Sequence, residues 1–222
     1  MDDLELSSEQ LLKNLDEIAS INKFLGGHMV ALGGIKKIIK ALGIQEGESL
    51  KIVDLGCGKG DTLQVIQEKI GGQYNLSLLG IDANKTTVQY AQNSNLQENI
   101  LIANDFIDEK NISKIEADIM VFSLFLHHFN DNEISDLLGS IDRKKVRAIL
   151  INDLERSVIA LILYKFISFV FNLDPMTKYD GYLSIKKGFI KHELSLMIDK
   201  IFKKHSISRK WAFRYQVTTL TS

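Results

Sequence analysis

Apolar residues recur at helical spacing over the first 45 residues, before any strand pattern begins. Ser7–Gln10 resembles a capping box, which is typical of a helix start. Behind it, the helical spacing is carried by Leu11, Leu12, Leu15, Ile18 and Ala19. A second run, from Ile35 to Leu42, ends at Gly43, and glycines 26 and 27 separate the two runs. Residues 1–48 are therefore predicted to form an N-terminal helical cap.

From residue 50 onward, short apolar runs alternate with helical stretches. Strands are predicted at residues 50–54, 76–82, 99–103, 118–123 and 146–152, with helices between them. Two further helices are predicted near 157–172 and 190–203, and two last strands between 205 and 220. Strands that alternate with helices indicate a parallel sheet covered on both faces. Residues 49–222 are therefore predicted to form one α/β domain.

Charge and cysteine content exclude several classes of protein. The chain has 27 basic and 28 acidic residues, whereas a protein that follows a nucleic-acid backbone usually has a clear basic excess. Nucleic acid is therefore not an expected partner. The single Cys57 cannot form an intrachain disulfide or a cysteine-based zinc site, and no metal is predicted.

Neither the first residues of the chain nor its most apolar stretch predicts export or membrane insertion. The first five residues are acidic where a secretory signal would be basic. The most apolar stretch, Val158–Phe171, is shorter than the ~20 residues that a membrane span needs. A cytoplasmic protein without stable membrane insertion is expected.

Glycines stand at 56, 58 and 60 directly after the first predicted strand, with an acid at Asp54. Glycine permits a tight turn and lets the backbone approach a ligand, and the helix that follows offers unpaired amides. A dinucleotide fingerprint would place a third glycine where Asp61 stands. The Lys-Ser/Thr ending of a phosphate-binding loop is also missing. A nicotinamide cofactor is therefore the less favoured ligand.

The stretch Val53–Gly60 resembles motif I of the class I S-adenosylmethionine-dependent methyltransferases, and later strand ends agree with this family. The resemblance implies a Rossmann-like, doubly wound seven-stranded sheet whose last strands are inserted antiparallel. It also implies S-adenosyl-L-methionine as cofactor, with the ribose at an acid that can accept two hydroxyl protons. The cofactor-binding residues that it implies are Asp54, Gly56, Gly58, Gly60, Asp82, Asp105, Phe106 and Ser123.

The fourth predicted strand runs into a pair of histidines, where this family often carries active-site residues. A phenolic acceptor has a pKa near ~10, so a base that titrates near neutral pH would help its methylation. His128 is the first candidate for this base, His127 the second, and Asp153 an orienting group. The alternative is that a histidine packs beneath the cofactor or caps a helix.

Segment 154–190 is predicted to be a lid over the acceptor. For its apolar stretch 157–172 four interpretations are open: a helix buried under the lid, the wall of an acceptor pocket, a homodimer face, and a membrane-surface contact. As a pocket wall it would favour an apolar, aromatic hydroxyl compound, with Phe166 and Phe169 as the rings to test. Residues 178–182 are predicted to be a loop that carries two tyrosines.

The predicted function is transfer of a methyl group from S-adenosylmethionine to a small, hydrophobic phenolic or secondary-metabolite acceptor, with O-methylation favoured. The stretches Asn22–Gly27, Asn152–Leu154 and Asp180–Ser184 are similar to a bacterial subgroup with such acceptors. Two alternatives stay open: a nicotinamide-binding oxidoreductase, and a non-catalytic S-adenosylmethionine-binding partner protein.

Overall fold

The alternating pattern folds into one seven-stranded sheet, which a computed structural model describes for residues 9–94 and 96–221. The strands are β1 (Ser49–Leu55), β2 (Asn75–Asp82), β3 (Ile100–Asn104), β4 (Ala117–Ser123), β5 (Val146–Leu154), β6 (His205–Lys210) and β7 (Arg214–Leu220). The helices are α1 (Glu9–Phe24), α2 (Gly27–Leu42), α3 (Asp61–Ile70), α4 (Lys85–Gln92), α5 (Glu109–Ile112), α6 (Asp131–Gly139), α7 (Val158–Val170), α8 (Pro175–Lys187) and α9 (Lys191–Ile201). The predicted capping box falls partly outside the described residues.

The strand order is β3-β2-β1-β4-β5-β7-β6. Strands β1 to β5 are parallel, and β7 is inserted antiparallel between β5 and β6. This arrangement confirms the predicted doubly wound, seven-stranded sheet. Because β7 runs in the opposite direction, its first residue, Arg214, lies opposite Leu154 at the carboxyl end of β5. The start of β7 therefore lies beside the carboxyl ends of the parallel strands, where ligands bind in this type of fold.

Each face of the sheet has its own hydrophobic core. Helices α2, α3 and α4 cover one face, where Ile35, Ile66 and Ala91 are fully buried. Helices α5, α6 and α9 cover the other face around Phe122. Helix α2, predicted as part of the cap, thus packs directly on the sheet, and its left-handed C-cap at Gly43 ends it where the sequence indicated.

The predicted loop at residues 178–182 is wrong, because these residues lie inside α8. The Asp174 side chain accepts a hydrogen bond from the Met176 amide (3.0 Å), and Pro175 occupies the first turn, which together start a helix. Gly181 in the middle of the helix lowers helix propensity, so the sequence favoured a loop. An added Cβ there would lie 2.1 Å from the Tyr164 hydroxyl, so the glycine allows α7 to approach α8.

The interpretation of residues 157–172 as a buried helix is also wrong. Within α7 only Ala160 and Ser168 are buried. Large apolar side chains of this helix and its C-cap are exposed, namely Val158, Ile159, Ile162, Leu163, Phe166, Phe169, Val170 and Phe171. None of the helices in the described ranges is long and apolar enough to cross a membrane.

Replacing Gly181 with alanine should destabilise the fold, because the new methyl group would collide with Tyr164, whose hydroxyl donates to the Thr177 carbonyl (2.6 Å). We expect a loss of about 1–3 kcal/mol in the free energy of unfolding, measured by urea denaturation. Gly33→Ala is the matched control, since Gly33 is also helical but has open space around it. That control should gain up to about 1 kcal/mol. Equal effects of the two changes would contradict the close packing of α7 on α8.

Candidate functional site

The glycine turn after β1 is held against the end of β2. The Gly56 and Cys57 amides donate to the Ile81 carbonyl (2.8 and 3.2 Å), and the Gly58 amide donates to Asp82 Oδ2 (3.0 Å). The other Asp82 oxygen accepts from the Asn84 amide (2.9 Å) at the start of α4. Asp82 therefore fixes the turn as well as standing where the resemblance implies a ribose contact.

Gly56 and Gly58 both have left-handed backbone conformations but serve different purposes. Gly56 (φ 71°) makes room for Phe125, whose ring would lie 2.1 Å from an added Cβ. Gly58 (φ 55°) has open space where a Cβ would stand. The close backbone approach predicted from the sequence is thus available to a ligand at Gly58, whereas at Gly56 a protein side chain occupies that space.

A cavity of about 680 Å³ lies between the glycine turn, α1, α7, α8 and the start of β7. Among the predicted site residues, its walls include Asp54, Gly56, Gly58, Ser123, His127 and His128. Gly60, Asp82, Asp105 and Phe106 do not line it. The Asp105 amide donates to the Asp82 carbonyl (3.3 Å), and Phe106 is exposed beside it, so these residues form an open shelf next to the cavity.

Asp54 is buried in the cavity wall, and its Oδ1 has no hydrogen-bond partner. Burial, and then the negative charge of Asp82, raise the pKa of Asp54 to about 8. A cationic group placed against this oxygen would restore the charged carboxylate. Cys57 beside it is no nucleophile, because burial raises the pKa of its thiol well above the ordinary value.

His127 and His128 lie in a 3₁₀ turn after β4, with their ring centroids 4.2 Å apart. Asp153 at the end of β5 accepts from the His127 backbone amide (3.3 Å) and bonds to its Nδ1 (2.7 Å). Burial acts to raise the pKa of Asp153, but the His127 charge and these hydrogen bonds outweigh it, so the pKa lies below the ordinary value. The His127 Nε2 atom is buried without a partner. The structure thus pairs the predicted orienting group, Asp153, with His127.

Helix α1 closes one side of the cavity through contacts that sequence reasoning missed. Asp16 accepts from Lys59 Nζ in the glycine turn (2.6 Å) and from the Tyr90 hydroxyl on α4 (3.0 Å). Asn14, fully buried on the same helix, donates to Asp180 on α8 (2.7 Å). The available signal was Asn14, a polar residue that lies three residues after Leu11 and four before Ile18 on the apolar side of the predicted helix.

A second missed group lies where α1 meets α2. The Arg214 side chain, only 3% exposed, donates through Nη2 to Asn22 Oδ1 (2.7 Å), and both residues line the cavity. Burial lowers the pKa of Arg214 to about 10, against the opposing effect of Asp153. His28 beside it bonds to Thr62 (3.2 Å), and burial, reinforced by nearby cations, lowers its pKa to about 4. His28 is therefore neutral near pH 7.

Phe166 and Phe169, the rings chosen from the sequence as tests of a pocket wall, point away from the cavity and are 64% and 80% exposed. The side of α7 that lines the cavity carries Ala160, Leu163, Tyr164 and Ile167 instead. Helical periodicity alone could not tell which of two apolar sides faces the site.

Residues 52–144 match the family model of a methyltransferase domain. Among solved structures, the plantazolicin methyltransferase BpumL in complex with a triazolic desmethylPZN analog and SAH is 13% identical with a TM-score of 0.67, covering 93% of this chain and 89% of that chain. The family match covers less than half of the chain, and the similar structure shares its fold.

Two other similar structures are human N-acetylserotonin methyltransferase in complex with SAM and magnesium protoporphyrin IX methyltransferase from Synechocystis PCC 6803. The human enzyme is 14% identical with a TM-score of 0.63, covering 93% of this chain and 54% of that chain. The Synechocystis enzyme is 13% identical with a TM-score of 0.54, covering 88% and 84%. At these identities the likeness establishes the fold. A search of curated protein sequences finds no match.

The matched part of the methyltransferase domain holds the glycine turn, Asp82, the Asp105 shelf and both histidines. Asp153, Arg214 and the helices that wall the cavity (α1, α7 and α8) lie outside it. The glycine-turn side of the cavity thus lies within the family match, and the opposite side lies outside it.

Binding of S-adenosylmethionine, the cofactor that the resemblance implies, should release a proton near pH 7. Asp54, with a pKa of about 8, is largely protonated there, and a cationic ligand favours its charged form. Affinity should therefore rise as the pH increases toward about 8, where the cofactor's ammonium group begins to lose its own proton. Calorimetry in two buffers of different ionisation enthalpy measures the release.

Asp54→Asn is the control, because the cofactor's own amine titrates equally with both proteins. The variant should show a smaller proton release and weaker binding by about tenfold. An identical release from both proteins would exclude Asp54 as the source.

Proposed function

We propose that this protein transfers a methyl group from S-adenosylmethionine to a small, apolar phenolic acceptor, with oxygen as the methylated atom. The observation that carries this proposal is the cavity of about 680 Å³ that starts at the glycine turn and continues between three apolar helix sides. Its volume is within the range of small-molecule sites and has room for an acceptor beside the methionine end of the cofactor.

The cofactor side of the cavity fits S-adenosylmethionine. The unpartnered Asp54 oxygen suits the ammonium group, and the open backbone at Gly58 lets the ligand approach the turn. The Asp82 carboxylate has lone pairs left for the ribose hydroxyls, and Phe106 offers an apolar surface beside Asp105 for the adenine. When bound, the cofactor supplies an electrophilic methyl group on a sulfonium.

The acceptor side is mainly apolar. Leucine and isoleucine side chains from three helices line it, namely Leu15, Ile18, Ile21, Leu163, Ile167, Leu183 and Ile185. Tyr164 and Tyr179 add aromatic surface with hydroxyl groups. The names of the similar structures include a plantazolicin, an N-acetylserotonin and a porphyrin methyltransferase, so the fold leaves the acceptor open.

Catalysis by this chain rests on alignment, exclusion of water and one proton transfer. Helices α1, α7 and α8 hold the acceptor against the cofactor's methyl group for in-line displacement. In its neutral form, His127 takes the acceptor's hydroxyl proton at Nε2, and the charged Asp153 carboxylate at Nδ1 orients the ring and stabilises the imidazolium that forms. His128, whose ring is tilted against that of His127, is the second candidate.

His127→Gln should lower kcat by ~10²–10⁴-fold and leave cofactor affinity nearly unchanged, because the acceptor's proton would lose its base. Turnover is measured as S-adenosylhomocysteine formation over a range of pH. His192→Gln, on the exposed surface of α9, is the matched control and should behave as wild type. If His128→Gln lowers kcat and His127→Gln does not, the base is His128. Wild-type turnover in both variants would remove histidine from the mechanism.

A panel of hydroxylated aromatics, aliphatic alcohols, sugars and amino acids tests the acceptor class. We expect hydrophobic phenols to be methylated best, with mass spectrometry placing the methyl group on oxygen, because the acceptor walls are apolar. Faster turnover of a charged, non-aromatic acceptor would overturn the proposed acceptor class.

Tight NADH binding without S-adenosylmethionine binding would favour the oxidoreductase, and cofactor binding without any product would favour a non-catalytic partner.

A homodimer built on the exposed side of α7 stays a prediction, as does a cytoplasmic location. The division of the chain at residue 48 into a cap and a catalytic domain, with 154–190 as the lid, is likewise proposed.

A further inference from the structure

The Arg214 guanidinium is a buried cation with unused hydrogen-bond donors in the cavity wall. Its Nη2 atom donates to Asn22, but Nε and Nη1 are buried and have no partner. Gly27 makes room for the group, since an added Cβ would lie 2.9 Å from Arg214 Cζ and 1.8 Å from Asn22 Oδ1. The Arg214 side chain is therefore held in the cavity wall by its hydrogen bond to Asn22 and by the space that Gly27 leaves for it.

Neighbouring acids do not neutralise this cation. Asp153 is the carboxylate whose charge acts on it, but Asp153 Oδ1 bonds to His127 Nδ1 and to the Leu154 amide, and Oδ2 bonds to the His127 amide. Within the described residues Arg214 forms no ion pair. A buried charge without a partner is costly, and an anion bound in the cavity would offset that cost.

The backbone of Arg214 lies three strands away from the glycine turn, next to the strand that carries Asp153. Arg214 begins β7, and β4 and β5 separate β7 from β1, which carries the glycine turn. With neighbouring strands about 4.8 Å apart, the two strand ends are roughly 14 Å from each other. Asp153, which orients the proposed base, ends the strand next to β7. An anion at Arg214 would therefore lie beside the acceptor's reacting end.

We propose that Arg214 binds a carboxylate of the acceptor, so that the substrate is an apolar aromatic hydroxyl compound carrying one acidic group. The planar guanidinium can donate from Nε and an Nη atom to both oxygens of such a group, which gives orientation as well as affinity. This inference rests on the proposed function and narrows it, because the acid fixes which end of an apolar acceptor faces His127.

The test compares two probes of equal size, 3-phenylpropanoate and 3-phenylpropanamide, titrated into the protein saturated with S-adenosylhomocysteine. Calorimetry should show the carboxylate binding at least about tenfold more tightly than the amide. Arg214→Gln should reduce this preference to less than about twofold and leave S-adenosylhomocysteine affinity unchanged. Arg143→Gln is the matched control and should keep the preference, because Arg143 is exposed and bonds to the Ile201 carbonyl.

Three results would overturn the inference. Equal binding of the two probes by the wild-type protein is the first, and it decides the matter even if Arg214→Gln fails to fold. A preference that survives in Arg214→Gln is the second. The third is that Arg214→Gln keeps the probe preference and also weakens S-adenosylhomocysteine binding. That result would assign Arg214 to the cofactor's carboxylate. Failure of the wild-type protein to bind S-adenosylhomocysteine would instead contradict the proposed function.

Discussion

The Asp82 carboxylate holds the glycine turn in place, and the geometry of the site depends on that contact. One oxygen accepts from the Gly58 amide and the other from the Asn84 amide, so a single side chain aligns the turn with the start of α4. The Gly56 amide adds a bond to the Ile81 carbonyl of the same strand end. With the turn fixed to β2, Asp54 at the end of β1 faces the cavity, and α3 begins where its free amides can reach a ligand.

Unsatisfied charged and titratable groups gather around the cavity. Asp54 Oδ1, His127 Nε2 and two Arg214 nitrogens are buried without a hydrogen-bond partner. Each such group costs free energy in the folded chain, and buried polar groups elsewhere in a protein are nearly always bonded. These three side chains differ in charge and come from three strand ends or turns, so together they suit a ligand pair that carries a cation, an acidic proton and an anion.

The sequence indicated β1 to β5 well because each of these strands is a short apolar run that ends at or beside a glycine or a polar residue. The candidate site residues that follow β1, β2 and β4 could be named from the sequence because they are local to a motif, and their roles stay predictions. Helix α8 was missed, since tertiary contact with Tyr164, and not local propensity, makes Gly181 acceptable there. Arg214 could not be predicted because Asn22, its partner, is 192 residues away.

The two sides of helix α7 are both apolar, but one lines the cavity and the other is exposed. Its inner side, with Leu163, Tyr164 and Ile167, closes the cavity against α8. Burying a large apolar side chain stabilises a fold by about 1.5–3 kcal/mol, yet Phe166 and Phe169 on the outer side stay mostly exposed in the described part of the chain and gain only a minor part of this. The fold itself therefore does not require these rings. A contiguous apolar surface of this kind usually marks contact with another molecule, which makes the outer side of α7 the surface on which the predicted homodimer would form.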